Sequence, residues 1–105
     1  MIIATHTSEW IREQSVQVLT INLYLPILRD TEVWACRVTI DFEKNHDSNI
    51  YGDDSFQSLK LAVGFVRILI NGFVANGWKM AVRLDNGDIA AINKEEMEKY
   101  IHALF

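Results

Sequence analysis

The sequence contains little of what usually stabilises a small secreted protein. It has one cysteine and one proline in 105 residues. Because Cys36 has no partner within the chain, an intramolecular disulfide is excluded, and stability must come from packing. We therefore expect a protein of a reducing compartment and predict a cytoplasmic location.

Long uninterrupted hydrophobic runs are also missing. The most apolar segment, residues 59–74, is broken by Lys60, Gly64, Arg67 and Asn71. It falls short of the roughly 20 consecutive apolar residues that a membrane span needs. The first residues lack a basic start followed by a long apolar stretch, so we expect no signal peptide and no membrane association.

Clustered positive charge is absent as well. The formal net charge is −4 and the basic residues are scattered, which argues against nucleic acid as a partner. Carboxylates gather within residues 41–54 and within residues 85–98. Such acidic clusters can steer a basic protein partner, or they can simply keep the protein soluble.

Several segments have the alternation of a β-strand. Residues 16–25 place Leu19, Ile21 and Leu23 on one face, and residues 34–42 place alternate apolar side chains on one face. We predict that these two strands form an antiparallel hairpin. Residues 2–11 have a weaker alternation and supply a third strand.

A long helix follows the strands. Residues 44–53 form the longest polar stretch, which we expect to connect the sheet to the helix. Asp54 and Gln57 have the spacing of a capping box. From residue 56 to residue 74 the surface is apolar nearly all round, so this helix must be covered on more than one side.

The C-terminal part predicts a hairpin and a short helix. Residues 78–84 and 89–92 form two strands around the Asn86-Gly87 turn, and Asn93 caps the helix. The element order is β-β-β-α-β-β-α over a single domain, residues 1–105. We predict an α+β fold in which an antiparallel sheet packs against the long helix.

Signals of catalysis or metal binding are weak. Residues 47–53 resemble the start of a calcium loop, but Ser58 stands where the bidentate glutamate is needed. The three histidines lack the spacing of a zinc site, and Cys36 lies in an apolar face. We expect no enzymatic activity, no cofactor and no metal.

Recognition through a surface remains as a class of function. Tryptophan is common at binding hot spots, and Trp10 and Trp78 are candidates for partial exposure, although burial in the core is the commoner fate. The apolar helix also suggests a homodimer through Phe65, Ile68, Ile70 or Phe73, unless the sheet curls around it. The candidate partner-binding residues are Asp47, Asp53, Asp54, Asp85, Asp88, Trp10 and Trp78.

Two segments carry a resemblance to a known family. Residues 34–40 read Trp-Ala-Cys-Arg-Val-Thr-Ile, and residues 51–62 read Tyr-Gly-Asp-Asp-Ser-Phe-Gln-Ser-Leu-Lys-Leu-Ala. This pattern resembles a family of small bacterial domains without an assigned activity, in which alanine usually stands at the position of Ser58. The resemblance covers residues 34–75 and implies no catalytic residue.

Small acidic bacterial domains often act as immunity proteins, and on that association we hypothesise an inhibitor that binds a cognate, basic toxin domain. Two alternatives stay open. One is a small-ligand or enzymatic domain, with Arg37, Tyr51 and Arg67 converging on a pocket between sheet and helix. The other is a homodimeric protein without catalysis, whose dimer would dissociate when Phe65 or Phe73 is charged.

Overall fold

The computed structural model describes residues 1–105. It consists of one antiparallel sheet packed against a long helix, as the sequence predicts, and the short C-terminal helix lies on the same face. Before the long helix come the strands β1 (Ile2–Arg12), β2 (Ser15–Tyr24), β3 (Ile27–Asp30), β4 (Val33–Phe42) and β5 (Lys44–Gly52). After them come α1 (Ser55–Ala75), β6 (Lys79–Arg83), β7 (Ile89–Ala91) and α2 (Lys94–Leu104).

Strand β4 organises the sheet. Its whole length pairs with β5 along one edge, while β2 and β3 pair with successive parts of its other edge. Strand β2 continues the sheet through β1 to β6 and β7. Pro26 lies between β2 and β3 and cannot donate a backbone hydrogen bond, which explains why the ladder is interrupted there.

The predicted α+β class and the order of its elements are confirmed, with two additions. The structure adds the short strand β3, and it shows that the polar stretch 44–53 is not a connection but mostly strand β5. Residues His46, Ser48 and Ile50 alternate as half-buried positions facing the helix. Pairing along all of β4 thus overrides the weak strand propensity of Asn and Asp.

Helix α1 begins and ends where the sequence predicts. The Asp54 side chain accepts a hydrogen bond from the Gln57 backbone N–H, and the Gln57 side chain accepts one from the Asp53 N–H. The helix packs over β4 and β5. Its buried side chains are Ser58, Ala62, Val66 and Ile70, which recur every four residues along one stripe.

Both helices share one hydrophobic core with the sheet. The strands contribute Trp10, Leu19, Ile21, Cys36, Val38, Ile40, Phe42 and Met80, the segment after α1 contributes Trp78, and α2 contributes Met97 and Ile101. Trp34, by contrast, is only half-buried. Helix α1 is long and apolar enough to cross a membrane by length and composition alone, a test that core helices also pass.

A network of polar contacts fixes the end of the sheet where α1 stops. Glu43, in the β4–β5 turn, accepts a hydrogen bond from Trp78 Nε1 at 2.9 Å and pairs with Arg12 at 3.3 Å. The Arg12 guanidinium carbon lies 4.5 Å from the centre of the Trp78 ring. Glu43 therefore links β4, β1 and the segment after α1.

Candidate functional site

The most distinctive exposed surface lies at the end of the sheet where β3 meets β4 and β5 meets α1. Trp34 pairs with Gly52 across β4 and β5, so the β3–β4 turn lies beside the β5–α1 turn. We call this surface the acidic tip. It consists of the carboxylates Asp30, Glu32, Asp53 and Asp54 and the apolar side chains of Leu28, Val33, Tyr51 and Phe56.

The apolar side chains of the acidic tip are unusually open to solvent. Phe56 is 75% exposed and Tyr51 is 55% exposed. Leu28 and Val33 are also exposed. By the alternation of β5, Tyr51 lies on the helix-free face of the sheet, whereas Phe56 lies beside Trp34 and Leu59 on the helix face. Exposed apolar side chains next to charged groups are a common composition of protein-binding surfaces. The two turns contain no lysine, arginine or histidine, so the acidic tip presents negative charge near the exposed aromatic side chains of Tyr51 and Phe56.

A groove of about 550 Å³ adjoins the tip on the face of the sheet that carries no helix. Its polar centre is Arg37 on β4, which donates two hydrogen bonds to the Asp47 carboxylate at 2.9 and 2.7 Å. The Arg37 guanidinium carbon lies 4.6 Å from the centre of the Tyr24 ring. The groove is lined by Met1, Tyr24, Leu25, Ile27, Arg29, Arg37, Asp47 and Asn49.

The Arg37–Asp47 pair is electrostatically coupled although it is open to solvent. The hydrogen bonds from Arg37 hold the pKa of the Asp47 carboxyl below its usual range, and those same bonds raise the pKa of Arg37. The pair therefore stays ionised at physiological pH. It orients a guanidinium plane next to an aromatic ring, an arrangement found at many interfaces.

Residues 4–82 match a family described as a domain of unknown function, DUF6968. The chain belongs to the DUF6968 family. Among curated proteins and among solved structures, none matches it. Family membership agrees with the resemblance seen in the sequence to an uncharacterised domain family, and it assigns no activity.

The structure divides the predicted carboxylates of this DUF6968 chain among three places. Asp53 and Asp54 lie in the acidic tip, where Asp54 also caps α1. Asp47 lies in the groove. Asp85 and Asp88 lie in the β6–β7 turn, on the side of the sheet away from β5. They do not join the tip, and Asp88 is bonded to Asn86 within its own turn.

Burial in the core, the commoner fate, is confirmed for Trp10 and Trp78, and their candidacy as partner-binding residues is wrong. Trp10 is completely buried and Trp78 is 2% exposed. Both indole N–H groups have internal acceptors, Ser8 Oγ for Trp10 and Glu43 for Trp78. The adjacent charged residue, Glu9, points to the opposite face of the strand, because successive side chains alternate. Neither indole is available to a partner.

The residues proposed for a ligand pocket do not converge. Arg37 faces the groove, on the side of the sheet opposite the helices, while Arg67 lines a shallow depression between α1 and α2. The cavity that does lie between sheet and helices is small, about 150 Å³, and is mostly apolar. His6 contributes a polar side chain to the lining of this cavity, and burial lowers the pKa of His6.

The interior also leaves little room for nucleophilic chemistry. Cys36 is buried, and this burial raises the pKa of its thiol. No three His, Cys, Asp or Glu side chains come together as a metal site.

Asp30, Glu32 and Arg37 were not among the predicted contacts. Residues Asp30 and Glu32 escape sequence reasoning because they are 21 or more positions away from Asp53. Their proximity depends on the pairing of β4 with β5, in a segment whose composition predicts a loop. One sequence feature indicated the position of Arg37: it lies on the polar face of an alternating strand.

Proposed function

We propose that this chain is a protein-binding module, and specifically an immunity-type inhibitor that binds a basic toxin domain through the acidic tip. The observation that carries the proposal is the exposure of Phe56 and Tyr51 amid four carboxylates. Burying such aromatic side chains supplies affinity, and the surrounding charge supplies steering and specificity. The module is expected to act in the cytoplasm, without catalysis or a cofactor.

The charge of the acidic tip fits a basic partner better than an acidic or neutral one. Four carboxylates beside exposed apolar side chains raise the encounter rate with a positively charged surface, and this effect weakens as salt screens it. The groove beside the tip extends the same surface with Tyr24 and the Arg37–Asp47 pair. We expect Asp47 to lie at the rim of the interface and Asp85 and Asp88 to lie outside it.

Affinity purification of the tagged chain from its native host tests the proposal. We expect a stoichiometric basic protein that is retained by the unaltered chain and lost with Phe56→Asp or with Asp53→Lys. Matched controls are Leu84→Asp and Asp85→Lys, which make the same changes at exposed positions away from the tip. Equal loss of the partner with tip and control variants would refute the assignment of the surface.

The inhibitor role requires a second measurement. Expression of the captured protein alone should arrest growth, and co-expression of this chain should restore it, whereas co-expression of the Phe56→Asp variant should not. A captured protein that is harmless when expressed alone would leave a binding module but would refute the immunity function.

A further inference from the structure

We propose that two copies of this chain form a dimer by pairing their β5 strands antiparallel, so that the two sheets become one. Strand β5 pairs with β4 along one edge only. Its other edge, nine residues long, has no partner strand. Unpaired backbone N–H and C=O groups along such an edge are a template for another strand.

The occupant that suits this edge is β5 of a second copy. A two-fold axis through Ser48 pairs all nine residues, and it places Asp47 opposite Asn49 and Lys44 opposite Gly52. No like charges then face each other, as a stable cross-strand arrangement requires. A shift of the axis by one residue, to Asp47, would bring two carboxylates together, so the charge pattern excludes that register, whereas the axis through Ser48 is the one that pairs all nine residues.

Helix α1 carries an apolar flank beside the same edge. Helix α2 lies over β6 and meets α1 on the flank that includes Arg67 and Val74. The opposite flank therefore projects toward the free edge of β5, and it carries Leu61 and Ile68, which are 47% and 69% exposed. The monomer leaves these two side chains uncovered.

The spacing of strands and helices agrees with this arrangement. Adjacent strands lie about 4.8 Å apart, and α1 packs over both β4 and β5. The axis of α1 then lies about one strand spacing from the two-fold axis. The two copies of α1 would run antiparallel about 10 Å apart, at the upper end of the range for packed helices.

The positions along the two elements agree independently. Gly52 lies against Ser58, since a Cβ built on Gly52 would be 2.5 Å from the Ser58 nitrogen. Ser48 lies four residues, or about 13 Å, back along β5. The same distance along α1 is about nine residues, which reaches residue 67. The axis through Ser48 thus passes next to Ile68, the most exposed residue of the flank.

Gly72 lies on this flank, whereas Gly64 lies on the solvent side of α1, opposite the buried stripe. A Cβ on Gly64 or Gly72 would meet nothing within 4 Å. Packing within the monomer therefore does not require glycine at either position. Each glycine nevertheless costs a helix about 1 kcal/mol relative to alanine. With Ile68 opposite Ile68 of the second copy, Gly72 removes a side chain from the flank where the second helix approaches.

Light scattering across a concentration series tests the dimer. The unaltered chain should have twice the monomer mass of 12.1 kDa, and Ile68→Lys should reduce it to the monomer mass. Val18→Lys is the matched control, because Val18 is 52% exposed but lies on the other face of the sheet. Circular dichroism of both variants checks that they fold. A monomeric unaltered chain, or a dimer that survives Ile68→Lys, would overturn the proposal.

Cross-linking tests the register. Cysteines that replace Ser48 would face each other across the axis, within the reach of a disulfide. Cysteines that replace His46, on the same face of β5, would be about 13 Å apart. Oxidation should therefore link the Ser48→Cys chains and leave the His46→Cys chains unlinked. Equal linking of both, or linking of His46→Cys alone, would refute this pairing of β5.

Discussion

Substitution by glycine should have opposite effects on the free energy of unfolding at two glutamates with left-handed backbone conformations. Glu13 has φ of 57° and Glu43 has φ of 48°. This conformation costs a glutamate about 1–2 kcal/mol, and it costs a glycine almost nothing. Part of the gain is offset because glycine makes the unfolded chain more flexible. At Glu13, which makes no side-chain hydrogen bond in the structure, Glu13→Gly should therefore raise the free energy of unfolding by about 0.5–1 kcal/mol.

The same change at Glu43 removes an interaction with a buried group. The Glu43 carboxylate accepts from the indole N–H of Trp78, whose residue is 2% exposed. A hydrogen bond to a charged group contributes about 1.5–3 kcal/mol. The ion pair with Arg12 adds less than about 1 kcal/mol, since both side chains are more than a third exposed. We expect Glu43→Gly to lower the free energy of unfolding by about 1–2 kcal/mol in spite of the relaxed backbone.

Urea and thermal denaturation of the two variants measure this difference. A gap of about 2 kcal/mol corresponds to a separation of about 8–16 °C in Tm for a domain of this size. Glu43→Gln, which keeps an acceptor, should lose less than Glu43→Gly. In a Trp78→Phe background the donor is gone, and Glu43→Gly should then be neutral or stabilising. Equal Tm shifts for Glu13→Gly and Glu43→Gly would refute the reasoning.

Three further outcomes follow from the interior. Gly52→Ala should lower the free energy of unfolding by more than about 2 kcal/mol, because the new Cβ meets the α1 backbone at Ser58. Gly87→Ala, at a turn in open space, should cost only the strain of its positive φ. Urea titration of the two variants compares these losses. Burial lowers the pKa of His6, so the unfolded chain binds a proton more readily. Stability should fall as pH drops below the unfolded value of about 6.5, and it should fall less for His6→Gln. Cys36 should react with iodoacetamide only as fast as the protein unfolds, since the thiol is buried and its pKa is raised. Rapid labelling of the native protein would contradict that placement.

Much of the fold could be predicted because its signals are local. The capping pair Asp54 and Gln57, the Asn86-Gly87 turn and the Asn93 cap all act within four residues, and all are present. The alternation of residues 34–42 likewise gave the correct core face of β4. Strand β5 could not be predicted in this way, because its pairing partner, rather than its own composition, keeps it extended.

The apolar surface of α1 shows what local pattern leaves open. The apolar pattern of residues 56–74 predicted that α1 is covered on more than one side. The sheet and α2 cover Ile70, Phe65 and Phe73. These three were candidates for a dimer interface, but Ile70 is fully buried, and Phe65 and Phe73 pack against the core. A charge at Phe65 or Phe73 would therefore disturb the monomer itself. Ile68 is the one candidate that stays exposed.

The carboxylates illustrate why a binding surface is harder to predict than a fold. Asp54 accepts a backbone hydrogen bond, Asp47 binds Arg37, and Glu43 satisfies a buried indole. Sequence clustering treats such side chains as one acidic surface, although each has a separate structural role. The carboxylates that form a surface together, Glu32 and Asp53, are brought together only by the β4–β5 pairing. If β5 also joins two copies, the antiparallel axis directs the two acidic tips toward opposite ends of the dimer, whereas Asp47, one residue from the axis, lies at its centre.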